Sequence, residues 1–410
     1  MSKALLIARR DSYRIVPYLR AAEALGIQLM VASNGPNSLI GAVAEGLNLD
    51  FTNSEAAMQR LLAESAAAGV DAVIPTDDDT IELTYRVAHA LGLRGNPLDA
   101  ARYSRRKDLA RDRLAEVGVS IPSHQRISIQ HLLQGAELRI PFPLVVKPLS
   151  LSGSRGVIRV DDAEALVTAA SRIAALVTHH PDPDTREHLL LEAFVPGREV
   201  AFEGMLDDGE LVQLALFDKP EPLDGPYFEE TYYVMPSRLP EALQRRIKDT
   251  VKSACEAYGL ISGPIHAELR TDGETIWVIE VAARTIGGQC ARLLRLATGR
   301  GLEELVLAQA VGLPIEYQAF DGGAGVLMLP TPGAGALRRV EGVSSALKVP
   351  GVREVEISLR EGAELIPAPE GHSYLGFVFA TGEDAAAAEQ SLRQAYVALN
   401  IVVGPLFKLR

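Results

Sequence analysis

Apolar and polar residues alternate in two short runs, His266–Arg270 (HAELR) and Trp277–Val281 (WVIEV), with Asp272-Gly273 between them. A period of two on either side of an Asp-Gly dipeptide predicts a β-hairpin. Its polar positions include Glu268 and Glu280, which a hairpin brings within reach of each other across the strands. Arg284 follows four residues later, and then the pair Gly287-Gly288. Two carboxylates so placed either share a hard cation or simply face water. The hairpin alone does not decide between these.

The first hundred residues show another rhythm. Apolar runs at Ala4–Ala8, Leu29–Ser33 and Ala72–Pro75 predict strands, and amphipathic stretches at Ile15–Leu25, Ser54–Ala67 and about Asp79–Leu91 predict helices. Such βαβ alternation implies a parallel sheet with helices on its faces. Ala8-Arg9-Arg10-Asp11 stands where a dinucleotide fold would carry G-x-G-x-x-G, which argues against a Rossmann dehydrogenase. Gly95-Asn96-Pro97 reads as a turn and a boundary, followed by a charged helix over Arg102–Val117 that contains Lys107. Toward the other end, the alternation Tyr374–Ala380 and a helix over Glu383–Leu399 predict a small α+β unit.

Two central segments carry candidate chemistry. Pro143–Val160 (PLVVKPLSLSGSRGVIRV) reads as strand, polar turn, strand, with Lys147 closing the first strand. Ser152, Gly153 and Ser154 make the turn small and rich in donors. Backbone N–H groups there approach phosphate oxygens unobstructed, and Lys147 supplies the compensating charge. The alternative is a mobile hairpin with an edge lysine. No G-K-[ST] opens a helix, so the pattern is not a Walker loop. In Leu189–Gly204 (LLLEAFVPGREVAFEG), Glu192 ends an apolar strand, Val195-Pro196-Gly197 turns, and Glu199 opens the next strand. Main chain at Ala193–Val195 suits the edge of an adenine, with Glu192 accepting from its amino group and Glu199 from ribose hydroxyls.

Composition narrows the class. The chain has 410 residues, enough for two or three domains, with 47% hydrophobic and 23% charged residues. Its 53 acidic against 41 basic residues give a net charge of -12, which excludes a general nucleic-acid footprint. Cys255 and Cys290 are its two cysteines, without metal-site spacing and too few for a disulfide framework. No apolar run approaches the ~20 residues of a membrane helix, and the start becomes charged too early for a secretory segment. A cytoplasmic enzyme is expected.

Taken in order, Lys107, KPLSLSGSRGV, LEAFVPGRE, HAEL and IEVAARTIGG resemble the ATP-grasp superfamily over roughly residues 100–325. The resemblance implies mixed α/β and α+β architecture. Residues 1–100 would form a Rossmann-like pre-ATP-grasp domain, 101–325 the nucleotide-binding and catalytic domain, and 326–410 a small C-terminal domain. It implies ATP, with magnesium as the cation and manganese as the alternative. Lys107 and Lys147 would contact the α- and β-phosphates. Ser152, Gly153 and Ser154 would close on the triphosphate. Glu192, Phe194 and Val195 would line the adenine pocket, Glu199 would hold the ribose, and Glu268 and Glu280 would carry the metal.

One departure sharpens the family. Many members place Asn two residues after the second metal carboxylate, where this chain has Ala282. The form IEVAAR is similar to that of L-amino acid ligases, which join two amino acids. Arg284 would then grip the first amino acid's carboxyl group and the transferred phosphate. Phe217–Ser237 resembles the segment lining the amino-acid site in those ligases, with Glu230 pairing with an ammonium and Tyr233 where His is frequent. The implied reaction is ATP-dependent carboxylate–amine ligation through an acyl phosphate, releasing ADP and phosphate. Its partners would be small-molecule amino acids, with neither nucleic acid nor membrane; a homodimer is the assembly that similar enzymes suggest. The alternatives are a purine-pathway or bicarbonate-activating ligase, and a non-catalytic nucleotide-binding module.

Overall fold

A computed structural model describes residues 1–35, 45–51, 54–314, 321–371 and 374–406. The N-terminal sheet is parallel throughout, in the order Glu45–Leu49, Gln28–Asn34, Lys3–Ala8, Ala72–Pro75. Of its two inner strands, Lys3–Ala8 is apolar without alternation, and Ala4 to Ala8 are fully buried, as a strand covered on both faces requires. Strand Glu45–Leu49 was not anticipated, because EGLNL carries neither an apolar run nor a clean period.

The expected helix Arg102–Val117 is instead two helices, Leu98–Tyr103 and Lys107–Glu116. Arg106 takes an extended conformation, and the Lys107 backbone N–H donates to the carbonyl of Leu149 at 3.0 Å. A tertiary hydrogen bond here overrides helix propensity. It places Lys107 at a helix start beside the Gly/Ser turn.

That turn belongs to a four-stranded antiparallel sheet ordered His124–Ser128, His188–Ala193, Leu144–Pro148, Ile158–Val160. Leu166, Ala170 and Ile173 of helix Ala163–Val177 pack in one core with Leu144, Val146 and Leu191.

The hairpin lies at the edge of an eight-stranded sheet. The order is Ile276–Ala282, Gly263–Thr271, Arg198–Asp207, Glu210–Asp218, Tyr232–Met235, Gly323–Leu329, Gly376–Gly382, Val352–Ile357. Helix Glu241–Tyr258 buries Leu243, Ile247, Val251 and Ala254, spaced three and four apart, in a core shared with Leu269, Val278 and Val281. It ends at Gly259 in the left-handed conformation. The boundary expected at 325/326 falls inside strand Gly323–Leu329. That strand pairs with Tyr232–Met235 on one side and Gly376–Gly382 on the other, so C-terminal strands extend the sheet that the hairpin begins. Strands Glu364–Leu365, Gly335–Glu341 and Asn400–Gly404 form a separate small sheet.

Candidate active site

In the hairpin register, Glu268 lies directly opposite Glu280. The ladder then slips, so that Leu269 opposes Val278 and Ile279 is left over as a bulge. The freed Ile279 carbonyl accepts from Arg111 Nη2 at 2.5 Å. Arg111 sits one turn beyond Lys107, so a single helix face carries both cations to the hairpin.

A cleft with a cavity volume of about 100 Å³ opens between the two antiparallel sheets. Lys107, Lys147, Gly153, Ser154, Glu192, Phe194, Val195, Glu199, Glu230, Glu268, Glu280 and Arg284 all line it. Of the site residues expected from the sequence, only Ser152 stands outside the lining. Its Oγ donates to Asp78 Oδ2 at 2.6 Å.

At one end the charges are cationic. Lys147 Nζ lies 2.6 Å from Glu192 Oε2, and Arg111 Nε lies 2.8 Å from Glu192 Oε1. Glu192 is 2% exposed. Against the upward push of burial, Arg111 and Lys147 hold its carboxyl down at about 2. Burial pulls the Lys147 ammonium below its ordinary value in spite of Glu192. Glu192 therefore anchors Lys147 in this structure while also lining the cleft. Lys107 Nζ donates to the Leu151 carbonyl at 2.9 Å and lies 3.5 Å from Glu280. Phe194 has the guanidinium of Arg159 4.3 Å and that of Arg270 5.1 Å from its ring centroid. The N–H groups of Ala193 and Phe194 donate to the carbonyls of Ser123 and Pro143.

At the other end the charges are anionic, gathered around a residue that the sequence did not single out. Lys219 Nζ lies 2.8 Å from Glu199 and 3.3 Å from Glu268, and it hydrogen-bonds Glu230. Glu199, Glu230 and Glu268 each offer an oxygen within 4.8 Å of the others. Burial, opposed by Lys219 and reinforced by Glu268, raises Glu230 to about 7. Glu268 goes the other way: burial pushes it up, but Lys219 and His266 hold it well below its ordinary value. His266 lies 3.5 Å from Glu268 and 3.4 Å from the fully buried Glu203. A lysine in an acidic stretch reads as solvated until the fold shows what surrounds it, so Lys219 left no signal.

Two of the departures noted in the sequence find their place. Ala282 is buried opposite His266 in the hairpin, so that strand offers no further side-chain oxygen there. Tyr233, 2% exposed, lies beneath Lys219, with Nζ 5.1 Å from its ring centroid.

The donor set fits the ligands that the sequence implies. Carboxylates alone are hard oxygen donors suited to a divalent cation such as magnesium. Lys107, Lys147 and Arg284 suit phosphate oxygens. In the Gly/Ser turn the buried Arg155 Nε has no hydrogen-bond partner among the described residues, a donor consistent with an anionic ligand there.

A parallel α/β unit followed by two antiparallel sheets that enclose lysines and carboxylates between them defines the ATP-grasp fold. The chain contains an ATP-grasp domain. Residues 140–292 match the ATP-grasp domain family, and residues 327–404 match the family "L-amino acid ligase C-terminal domain 2". The chain is 27% identical to an alanine–anticapsin ligase of Bacillus subtilis over 269 residues, which span 62% of this chain and 56% of that ligase. The crystal structure of an L-amino acid ligase from Bacillus licheniformis superposes with a TM-score of 0.85 at 27% identity, covering 98% of this chain and 99% of that one. The biotin carboxylase domain of a Hydrogenobacter thermophilus 2-oxoglutarate carboxylase, solved with magnesium ADP and bicarbonate, shares the fold at 18% identity and a TM-score of 0.68, over 97% and 90% of the two chains. Among the described residues no helix is long and apolar enough to cross a membrane.

Proposed function

We propose that this protein is an ATP-dependent ligase that joins the carboxyl group of one amino acid to the amine of another, releasing ADP and phosphate. One observation carries the reading: Arg284 and Glu230, the residues suited to an amino acid's carboxylate and ammonium, line the same cleft as the phosphate lysines Lys107 and Lys147. The similarity to an L-amino acid ligase and to an alanine–anticapsin ligase supports the same substrate class. Residues 1–100, 101–325 and 326–410 would serve as pre-ATP-grasp, catalytic and C-terminal closing domains.

A carboxylate does not condense with an amine in water, because it is ionised and its oxygen is a poor leaving group. Attack of a carboxylate oxygen on the γ-phosphorus of ATP expels ADP and leaves an acyl phosphate. The amine nitrogen then attacks the acyl carbon, the C–O bond to phosphate breaks, and the amine's proton passes to a base. Catalysis of this kind is mostly positioning and charge neutralisation. Lys107 and Lys147 hold the phosphates, and Arg284 holds the carboxylate beside the phosphoryl group. Glu268 and Glu280 would hold a divalent cation, which would supply charge neutralisation at the transferring phosphoryl group. The turn Ser152–Ser154 shields the acyl phosphate from hydrolysis. Glu199 receives the ribose, and Phe194 and Val195 flank the adenine. Glu230 pairs with the ammonium of the first amino acid, and either Glu230 or the substrate phosphate takes the proton of the attacking amine.

Phosphate release with ATP and magnesium, measured across all pairs of amino acids, tests the reading. Release confined to particular pairs is expected. A flat result, with release only on adding bicarbonate or a nucleotide, would replace it with the bicarbonate or purine-pathway class. Glu280→Gln should lower ADP formation by at least about 100-fold with an unchanged melting temperature. Undiminished turnover would remove Glu280 from the cation site.

A further inference from the structure

Asp78 comes from the N-terminal parallel unit, yet both its oxygens are spent on the cleft. Oδ1 accepts from Arg284 Nε at 2.7 Å; Oδ2 accepts from Arg284 Nη2 at 3.1 Å and from Ser152 Oγ at 2.6 Å. Three distant stretches of chain thus meet at one carboxylate: the start of helix Asp78–Ala90, the Gly/Ser turn, and the segment after the hairpin. Its mount is stiff. Asp77 caps the helix and pairs with Arg14 Nη1 at 3.0 Å, and Arg14 Nη2 donates to the Ile286 carbonyl at 3.3 Å.

A guanidinium has five N–H donors. Asp78 takes the Nε–H and one on Nη2, and the Thr285 carbonyl takes one on Nη1 at 3.0 Å. Among the described residues no partner takes the second N–H on Nη1 or on Nη2, leaving one on each nitrogen for the fork with which arginine grips a carboxylate or phosphoryl group. Asp78 is also no placeholder for an acidic ligand. Both partners are largely shielded, at 11% and 14% side-chain exposure, so displacing Asp78 would leave a poorly solvated carboxylate without its counter-charge.

We propose that Asp78 is a positioning residue that fixes the orientation of Arg284 and, through Ser152, ties closure of the Gly/Ser turn to that orientation. The assignment rests on the ligase reading for the identity of the ligands but not for the tie itself. Hydrogen exchange of residues 149–157 in the nucleotide-free full chain reads the tie directly. Ser152→Ala and Asp78→Asn should each speed exchange about tenfold, and the double variant should add nothing further. Binding separates the two roles. Asp78→Asn should weaken a magnesium-bound non-hydrolysable ATP analogue about tenfold more than magnesium ADP, since only the former offers Arg284 a terminal phosphoryl group. Ser152→Ala should weaken both alike, and Asp78→Glu should recover part of the loss. Additive exchange rates, or equal weakening of both nucleotides by Asp78→Asn, would overturn the proposal. A wild-type protein that binds neither nucleotide would strike the ligase reading, while the exchange measurement still decides the tie.

Discussion

Glu192 shows how one residue's charge state is set by its neighbours. Its folded value of about 2 lies below the ordinary 4.5, so its ionised form stabilises the fold above the ordinary value. That contribution is lost as pH falls from about 4.5 through about 2. The displacement corresponds to about 3 kcal/mol, and Glu192→Gln would leave Arg111 and Lys147 buried without a counter-charge. Chemical denaturation should therefore find Glu192→Gln about 3 kcal/mol less stable at pH 7, with the gap closing as pH is lowered across that window. A gap independent of pH would show that the carboxylate's charge is not what matters. Lys219 poses the complementary case, one cation among three carboxylates. Lys219→Met should leave a cluster that recruits a divalent cation in its place. Mn²⁺ binding to the nucleotide-free variant, followed by electron paramagnetic resonance, should be about tenfold tighter than in wild type, and added magnesium should raise the variant's melting temperature. Unchanged Mn²⁺ affinity would mean that Lys219 does not compete for this site.

The hairpin and the strand beside it set the site's geometry as elements. A slip of one residue would turn Glu268 or Glu280 to the other face of the sheet, so the register Glu268↔Glu280 is essential to the cleft. Gly197 guards it. With φ of +103°, a Cβ at this position would lie 2.2 Å from the Thr271 carbonyl oxygen, at the end of a hairpin strand. Gly197→Ala combines a left-handed backbone with a collision against main chain that has nowhere to go. It should cost about 3 kcal/mol and lower the melting temperature accordingly. An unshifted melt would show that the turn and hairpin adjust freely. This level was readable in part. The alternation in HAELR and WVIEV with an Asp-Gly turn predicts the hairpin from local rules alone. The split between helices Leu98–Tyr103 and Lys107–Glu116 was not readable, because it depends on the Leu149 carbonyl some forty residues away.

Across the whole molecule, Arg14 clamps the N-terminal unit onto the segment that follows the hairpin. It is 7% exposed and bonds Asp77, the Thr285 carbonyl and the Ile286 carbonyl. The N-terminal sheet and the eight-stranded sheet also share one apolar core, in which Leu6 and Val31 join Ile286, Leu293 and Met328. Arg14→Ala should lower stability by about 2 kcal/mol and speed hydrogen exchange in residues 284–288 while leaving residues 124–128 unchanged. Uniform acceleration along the chain would indicate global destabilisation instead of a loosened seam.

The sequence by itself determined the local elements and the chemical inventory. Periodicity and turn dipeptides act over a few residues, and the order of lysine, Gly/Ser turn and paired carboxylates survives as spacing along the chain. Only the tertiary structure decided the partnerships. It set Lys219 among Glu199, Glu230 and Glu268, turned Glu192 into the anchor of Lys147, and brought Asp78 from another unit onto Arg284 and Ser152. The reason is electrostatic. Whether a charged side chain is solvated or engaged depends on which charges share its low-dielectric surroundings, and those arrive from positions tens to hundreds of residues away.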